Sequence, residues 1–277
     1  MHGLGWLREL PDPRDWILEQ HDTAAAMFSR PLFQGAGYAP LGGPATLPSS
    51  VDLSKWCSPI ENQGALGSCV AQATVGLVEY IENRARGRWI DASRLFTYKM
   101  ARQLDGFVGD TGAYVRTGIK SLRLFGAPPE KHWPYVIERF DEDPPAFVFA
   151  YGQSYRAIRY YRLDSAGQRR ANLLNLIRSV ISSELPVVFG YLVYSFGNAR
   201  GEFPMPDTGA APYGGHAVLA VGYDDERVID GYRGALKIRN SWGTAWGEGG
   251  YGWLPYGYVL EGLSSDFWVI FRQDYLL

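Results

Sequence analysis

Cys69 follows a Gly-Ser turn in "NQGALGSCV" (62–70) and is one of two cysteines in the chain. A thiol is a weak nucleophile near neutral pH; it needs a lowered pKa, a base, or both. Helical periodicity begins at Cys69, and the unpaired N–H groups at that end of a helix favour a thiolate. A base must come from elsewhere, and the chain holds four histidines. His2 lies in the terminal arm, His21 follows polar "ILEQ", and His132 precedes "WPY" in a Pro-bounded loop. His216 opens an apolar strand after "YGG", where two glycines admit a close backbone approach. It is the candidate base, although a histidine in such a strand, taken alone, is more often a hydrogen-bonded core residue.

Two further groups complete a possible site. Asn240, in "IRNSWGTAWGEGGYG", can accept the proton on the far imidazole nitrogen and hold the ring. Trp242 beside it would shield that bond from water. Gln63 stands six residues before Cys69. Its side-chain amide and the Cys69 backbone N–H could both point at a developing oxyanion. Removing one such donor typically costs about 2.7–4 kcal/mol of transition-state stabilisation.

The elements that must position these residues read as α+β. "CVAQATVGLVEYIENRAR" places Val70, Ala73, Leu77 and Ile81 on one helical face, with polar Gln72, Glu79 and Glu82 away from that stripe. "GAYVRTGIKSLRLFG" (112–126) and "RRANLLNLIRSVISSE" (169–184) predict two more helices, stopped by Gly126 with Pro128 and by Pro186. Short β-branched or aromatic runs follow at 186–193, 216–225, 234–242 and 250–256. A helical half followed by a strand half predicts two lobes with a cleft between them. Residues 1–47 are rich in Pro and Gly and read as an extended arm and linker.

Composition excludes several functions. The chain has 277 residues, 46% hydrophobic and 20% charged, an ordinary globular balance with room for a large core. Aromatics reach 14%, which suits a rigid fold with an aromatic-lined cleft. The net charge of −2 offers nothing to nucleic acid, and "RARGR" (84–88) and "RR" (169–170) are short surface runs. "DED" (141–143) and "DDE" (224–226) read as solvated turns. Cys57 and Cys69 allow at most one disulfide, and none if Cys69 is reactive, so the fold must stand on packing. No segment approaches the roughly 20 apolar residues that span a bilayer, and the N-terminus lacks a signal-peptide pattern. The expectation is no membrane, and a cytoplasmic place or export by a non-classical route. No Cys/His spacing suits zinc and "GAGYAPLGGPA" is not a P-loop, so no metal or cofactor is expected.

The residues resemble those of papain-like cysteine peptidases over Leu47 to Phe271. The resemblance begins at "LPSSVDLSKWCSPIENQG", continues through "GSC" and "GGHAVLAVGYDD", and ends in "KIRNSWGTAWGEGGYG". His216 lies 147 residues after Cys69, and Asn240 lies 24 after His216. The resemblance implies a papain-like two-lobe fold, with a helical left lobe and an antiparallel β-barrel-like right lobe. It implies Cys69 as nucleophile, His216 as general base and acid, Asn240 as orienter and Gln63 as oxyanion donor, with Trp242 over the His–Asn pair. The catalytic domain would span 48–277, with a mainly helical lobe at about 60–160 and a mainly β lobe at about 161–277. Two positions depart from the family. Leu66 stands where a disulfide-bonded Cys is usual, and Val70 where an aromatic follows the nucleophile. Losing that bridge removes typically about 2–4 kcal/mol, so Leu66 must compensate by burial or the fold must be held otherwise. The departures suggest a compact bacterial branch of the family. Cys57 has no family role and reads as a quiet, semi-buried thiol.

For substrate, the resemblance implies a peptide or protein. The family clamps the peptide backbone in the helical lobe, where "GDTGAY" (109–114) makes Asp110 and Gly112 candidates. A plain turn at the start of a helix is an equal reading. A side-chain pocket would draw on "FGYLV", including Tyr191, on Gly215, and on "LSSDF". With Asp266 on its floor, a basic side chain would be tolerated. The expected activity is that of an endopeptidase acting as a monomer, with residues 1–47 as a short inhibitory prosegment. The competing readings are an exopeptidase or acyltransferase on the same fold, a catalytically silent peptide-binding protein, and an arm that is merely a surface extension.

Overall fold

The structure, a computed structural model, describes residues 2–17, 47–153 and 155–275, of which 155–158 and 271–275 are described as backbone only. His21 and most of the linker at 35–48 lie outside the described residues. The first half carries strand β1 (Ser50–Asp52) and helices α1 (Cys69–Arg86), α2 (Arg94–Asp105), α3 (Val115–Phe125) and α4 (Ala146–Gly152). The second half carries β2 (Tyr155–Arg162), α5 (Arg170–Ser182), β3 (Val187–Val193), β4 (Gly214–Ile229), β5 (Tyr232–Arg239), β6 (Tyr251–Pro255), α6 (Gly257–Leu260) and β7 (Ser264–Tyr275). Helix α2, whose Ser93 side chain accepts from the Phe96 amide at 3.2 Å, and strands β2 and β7 go beyond the elements read from periodicity.

Helix α1 begins at Cys69 and stops at Gly87, which takes a left-handed φ of +68° that a side chain would resist. The stripe Val70, Ala73, Leu77 and Ile81 is buried, as its spacing predicts. Gln72, Glu79 and Glu82 are buried too, so the expectation of a polar outer face is corrected. Helix α1 packs against β4, α2 and α3 at once and has no broad solvent face. Its acids are satisfied internally: Glu79 accepts from Ser58 Oγ at 2.5 Å and the Ala92 amide at 3.0 Å, and Glu82 from the Ile90 amide at 2.7 Å. Burial still pushes the Glu79 carboxyl up to about 7.

The strands run in the order β2-β7-β3-β4-β5-β6, all antiparallel, with β1 added to β4. The sheet is open, with β2 and β6 at its two ends. Strands β3 and β4 pair from Val187↔Ala220 to Val193↔Gly214, which sets His216 opposite Tyr191. One apolar core joins the helices to the sheet and includes the buried Leu66. Trp6 of the N-terminal arm belongs to the same core.

Candidate active site

The loop before α1 is tied to the loop after β5. The Gln63 amide donates to the Ser241 carbonyl at 2.9 Å, the Gly243 amide to the Glu61 carbonyl at 3.0 Å, and Asn62 bridges Trp242. These bonds place the segments around Cys69 and Asn240 side by side, although they are far apart in the chain. Ser241 Oγ donates to Gln63 Oε1 at 2.5 Å, which leaves Gln63 Nε2 as the outward donor. Ser241 stands between Asn240 and Trp242 in "NSW" and was not singled out from the sequence.

His216 Nε2 lies 2.8 Å from Asn240 Oδ1, and the Ser241 amide donates to the same oxygen at 2.8 Å. A carboxamide oxygen only accepts, so the Nε2 proton is on the ring and Nδ1 carries the lone pair. Nδ1 has no hydrogen-bond partner among the described residues. Trp242 stacks on the imidazole with centroids 4.5 Å apart and an interplanar angle of 26°. The Ala217 amide, next in the chain after His216, acts on the Cys69 thiol, so the start of α1 and the start of β4 meet at the sulfur.

The thiol is fully buried, and burial pushes it up to about 11 against the pull of the Ala217, Gly5, Val70 and Cys69 amides. Burial likewise lowers His216 to about 4. The Cys69 and Val70 amides at the start of α1 still favour the thiolate, as their position predicts. Desolvation outweighs the amide dipoles while the site is covered. Cys57 is half-buried, and burial raises it to about 11 as well.

The cover is the N-terminal arm. Gly3 donates its amide to Gly64 O at 2.9 Å, and its carbonyl accepts from Gln63 Nε2 at 3.0 Å. The Gly5 amide points at the Cys69 sulfur, and its carbonyl accepts from the Ala113 amide at 2.8 Å. Trp6 donates to Gly215 O at 3.0 Å, and Leu7 to Ala113 O at 3.1 Å, in a parallel bridge. His2 also stacks on Trp242, with ring centroids 4.7 Å apart. Glycine is required at these contacts: a Cβ on Gly3 or Gly5 would overlap the Leu66 or Gly67 carbonyl oxygen. Arg116 holds the arm farther along, pairing with Glu9 and, at 2.7 Å, with Asp15.

The remaining candidates divide. Gly112 takes φ +80° with its face against the Gly5 carbonyl, but the backbone bonds pass through Ala113, which was not singled out. Asp110 accepts from the Gly67 amide at 3.0 Å and from Tyr98 Oη at 2.5 Å, so it holds the loop before Cys69 instead of facing the cleft. Tyr191 is fully buried and meets His216 edge-on at 5.8 Å. Strand alternation turns Tyr191 away from the arm and gives the cleft face to Gly190, which corrects its assignment as a pocket residue. Gly215 lies against Trp6. Asp266, buried with φ +59°, accepts from Trp6 Nε1 at 3.0 Å and pairs with Arg162 at 2.7 Å.

Residues 47–260 match the family described as "Papain family cysteine protease". The chain belongs to the papain family. It is a cysteine protease of that family, a hydrolase with a peptide or protein substrate. A peptidase C1-like protein of Acanthamoeba polyphaga mimivirus is 31% identical over 96% of this chain and 86% of its own length. Cathepsin K of Gallus gallus is 29% identical over 80% of this chain and 63% of its own length. Among solved structures, xylellain, a cysteine protease from Xylella fastidiosa, aligns with a TM-score of 0.75 and 29% identity, covering 100% of this chain and 97% of its own. The fold is the papain-like two-lobe α+β fold. The similarity reaches a virus as well as a bacterium, so membership does not assign a bacterial branch. Among the described residues, no helix is long and apolar enough to cross a membrane.

Proposed function

We propose that the protein is a cysteine endopeptidase that uses Cys69, His216, Asn240 and Gln63, and that its N-terminal arm restrains it. The observation that carries the reading is the His216 Nε2–Asn240 bond at 2.8 Å. It leaves the Nδ1 lone pair unpartnered, while the adjoining Ala217 amide contacts the Cys69 sulfur. In the reaction, His216 Nδ1 takes the thiol proton and the sulfur attacks the peptide carbonyl carbon. The carbonyl oxygen becomes an oxyanion that accepts from Gln63 Nε2. His216 then returns the proton to the departing amine as the C–N bond breaks, leaving a thioester. Water, deprotonated by His216, attacks the thioester; the acid departs and the thiol is restored.

Two contacts support restraint by the arm. The Gly3 carbonyl takes the Gln63 donor, and the Gly5 N–H meets the sulfur. An arm held this way occupies the donor and covers the thiol.

The test is hydrolysis of an internally quenched peptide by the full chain and by its Cys69→Ala variant. Cleavage within the peptide that disappears with Cys69→Ala supports the reading. Release of single terminal residues would favour an exopeptidase. Absence of turnover from both full-chain and arm-loosened forms would remove the peptidase assignment.

A further inference from the structure

The arm backbone at Gly5 runs between two walls of the helical lobe. On one side a Cβ on Gly5 would strike the Gly67 carbonyl oxygen; on the other a Cβ on Gly112 would strike the Gly5 carbonyl oxygen. Gly67 lies two residues before Cys69, and Gly112 lies one before Ala113, whose backbone pairs with the arm. One hydrogen-bonded chain joins the two walls. The Gly67 amide donates to both carboxylate oxygens of Asp110, at 3.0 and 3.1 Å. Tyr98 Oη donates to Asp110 Oδ1 at 2.5 Å and accepts from the Gly112 amide at 3.0 Å.

Each link has a fixed direction. An amide N–H only donates and a carboxylate only accepts, so the Tyr98 hydroxyl gives its proton to Asp110 and takes that of Gly112. Burial, and then the neighbouring Asp110 carboxylate, hold the phenol well above its ordinary range, so it keeps that proton. The Tyr98 ring is fully buried and backed by the Arg102 guanidinium, 4.5 Å from its centroid, which pairs in turn with Asp141 at 2.9 Å. Asp110 is exposed, whereas Gly67 and Gly112 are buried. Two buried amides therefore depend on one phenol and one surface carboxylate, and a buried N–H left without a partner is costly. No covalent bridge ties this loop. Leu66, beside Gly67, stands where the family usually has a disulfide-bonded Cys, and both cysteines of the chain are free.

On the reading of the chain as a peptidase, we propose that Asp110 is a positioning residue that, through Tyr98, couples peptide pairing at Ala113 to placement of the Cys69 thiol. A peptide strand that takes the arm's place bonds to Ala113 and fixes the Gly112 wall. The relay carries that constraint to Gly67 and so to the loop that delivers the thiol. Binding energy gained away from the scissile bond then raises kcat, and not affinity alone.

The test uses the full chain with its arm loosened by Gly5→Ala, carrying Asp110, Asp110→Leu or Asp110→Asn. Two substrates are compared: acetyl-Phe-Ala-aminomethylcoumarin and its counterpart with an ester oxygen in place of the Phe N–H, the group that a strand antiparallel to Ala113 donates to Ala113 O. With Asp110, the amide substrate is expected to exceed the ester about two- to tenfold in kcat, the worth of one hydrogen bond. With Asp110→Leu the kcat gap should close, leaving the amide only a lower KM. Asp110→Asn keeps one acceptor oxygen for Gly67 and Tyr98 and should reopen the gap. A role confined to stability would slow both substrates alike and leave the gap intact, which would overturn the proposal. So would equal kcat for the two substrates with Asp110, or Leu and Asn variants that behave alike. Hydrogen exchange on the same chains is independent of turnover: Asp110→Leu should speed exchange at the Gly67 and Gly112 amides together. A change at Gly67 alone would break the relay and leave the peptidase standing. Coupled exchange with no turnover in any chain would remove the peptidase reading, and with it the coupling to kcat, while the relay stayed.

Discussion

The Gly3 carbonyl oxygen accepts from Gln63 Nε2 at 3.0 Å, so the donor proposed to stabilise an oxyanion is already occupied by the chain's own N-terminal arm. The second Nε2 proton goes to Leu66 O at 2.9 Å, and Ser241 Oγ fixes the amide's orientation. The amide is held at both ends, and on the proposed mechanism a substrate must displace Gly3 to use it. In a chain whose arm is loosened by Gly5→Ala, adding Gln63→Ala is expected to lower kcat about a hundred- to a thousandfold with a smaller effect on KM. Steady-state kinetics on a fluorogenic dipeptide checks this; an unchanged kcat would show that Gln63 only ties loops together.

Gly5 has no room for a side chain, since a Cβ would overlap the Gly67 carbonyl oxygen. Overpacking of this kind costs about 1–3 kcal/mol. Gly5→Ala is therefore expected to raise the kcat/KM of the full chain about 5- to 150-fold by shifting the arm off the thiol. Activity equal to that of the unaltered chain would mean that the arm does not limit access.

With the arm seated, Cys69 is pushed up to about 11 and His216 down to about 4, both by burial. Between those values both groups are neutral, and thiolate grows about tenfold per pH unit, reaching only about one part in ten thousand at pH 7. Iodoacetamide alkylation of Cys69 in the full chain, followed by mass spectrometry, is expected to be slow at pH 7 and to climb steadily toward pH 11. Gly5→Ala admits water to the pair and should move that rise to lower pH. A plateau below pH 7 in the unaltered chain would contradict a covered thiol.

Arg116 pairs with Glu9 and with Asp15, whose side chain is only 5% exposed. Removing one partner of a largely buried pair typically costs about 3–5 kcal/mol. Arg116→Ala should accelerate hydrogen exchange at the Trp6 and Leu7 amides, which donate to Gly215 O and Ala113 O, while β3 amides keep their protection. Equal acceleration in the arm and in β3 would indicate general destabilisation instead of release of the arm.

Much of this protein was legible from its residues. The apolar spacing from Val70 to Ile81 and the stop at Gly87 set α1, because helix period and glycine's left-handed φ are local properties. Short β-branched runs located β3 to β6 for the same reason. The types and order of Gln63, Cys69, His216 and Asn240 pointed to thiol chemistry, and the family match agrees with that class of enzyme. Local pattern could not give the faces and partners. Gln72, Glu79 and Glu82 look like an outer face, yet they are buried because α1 is enclosed on several sides. Strand register turned Tyr191 inward and offered Gly190 to the cleft. The charge on Asp266 was plain in the sequence, but its neutralisation depends on Arg162, 104 positions away. The thiol's acidity was decided by tertiary structure above all. The helix N-terminus favours a thiolate through local dipoles, whereas Gly5 reaches Cys69, and Gly3 the adjoining Gly64 and Gln63, only when the folded chain closes over the thiol and removes the water that a charge requires.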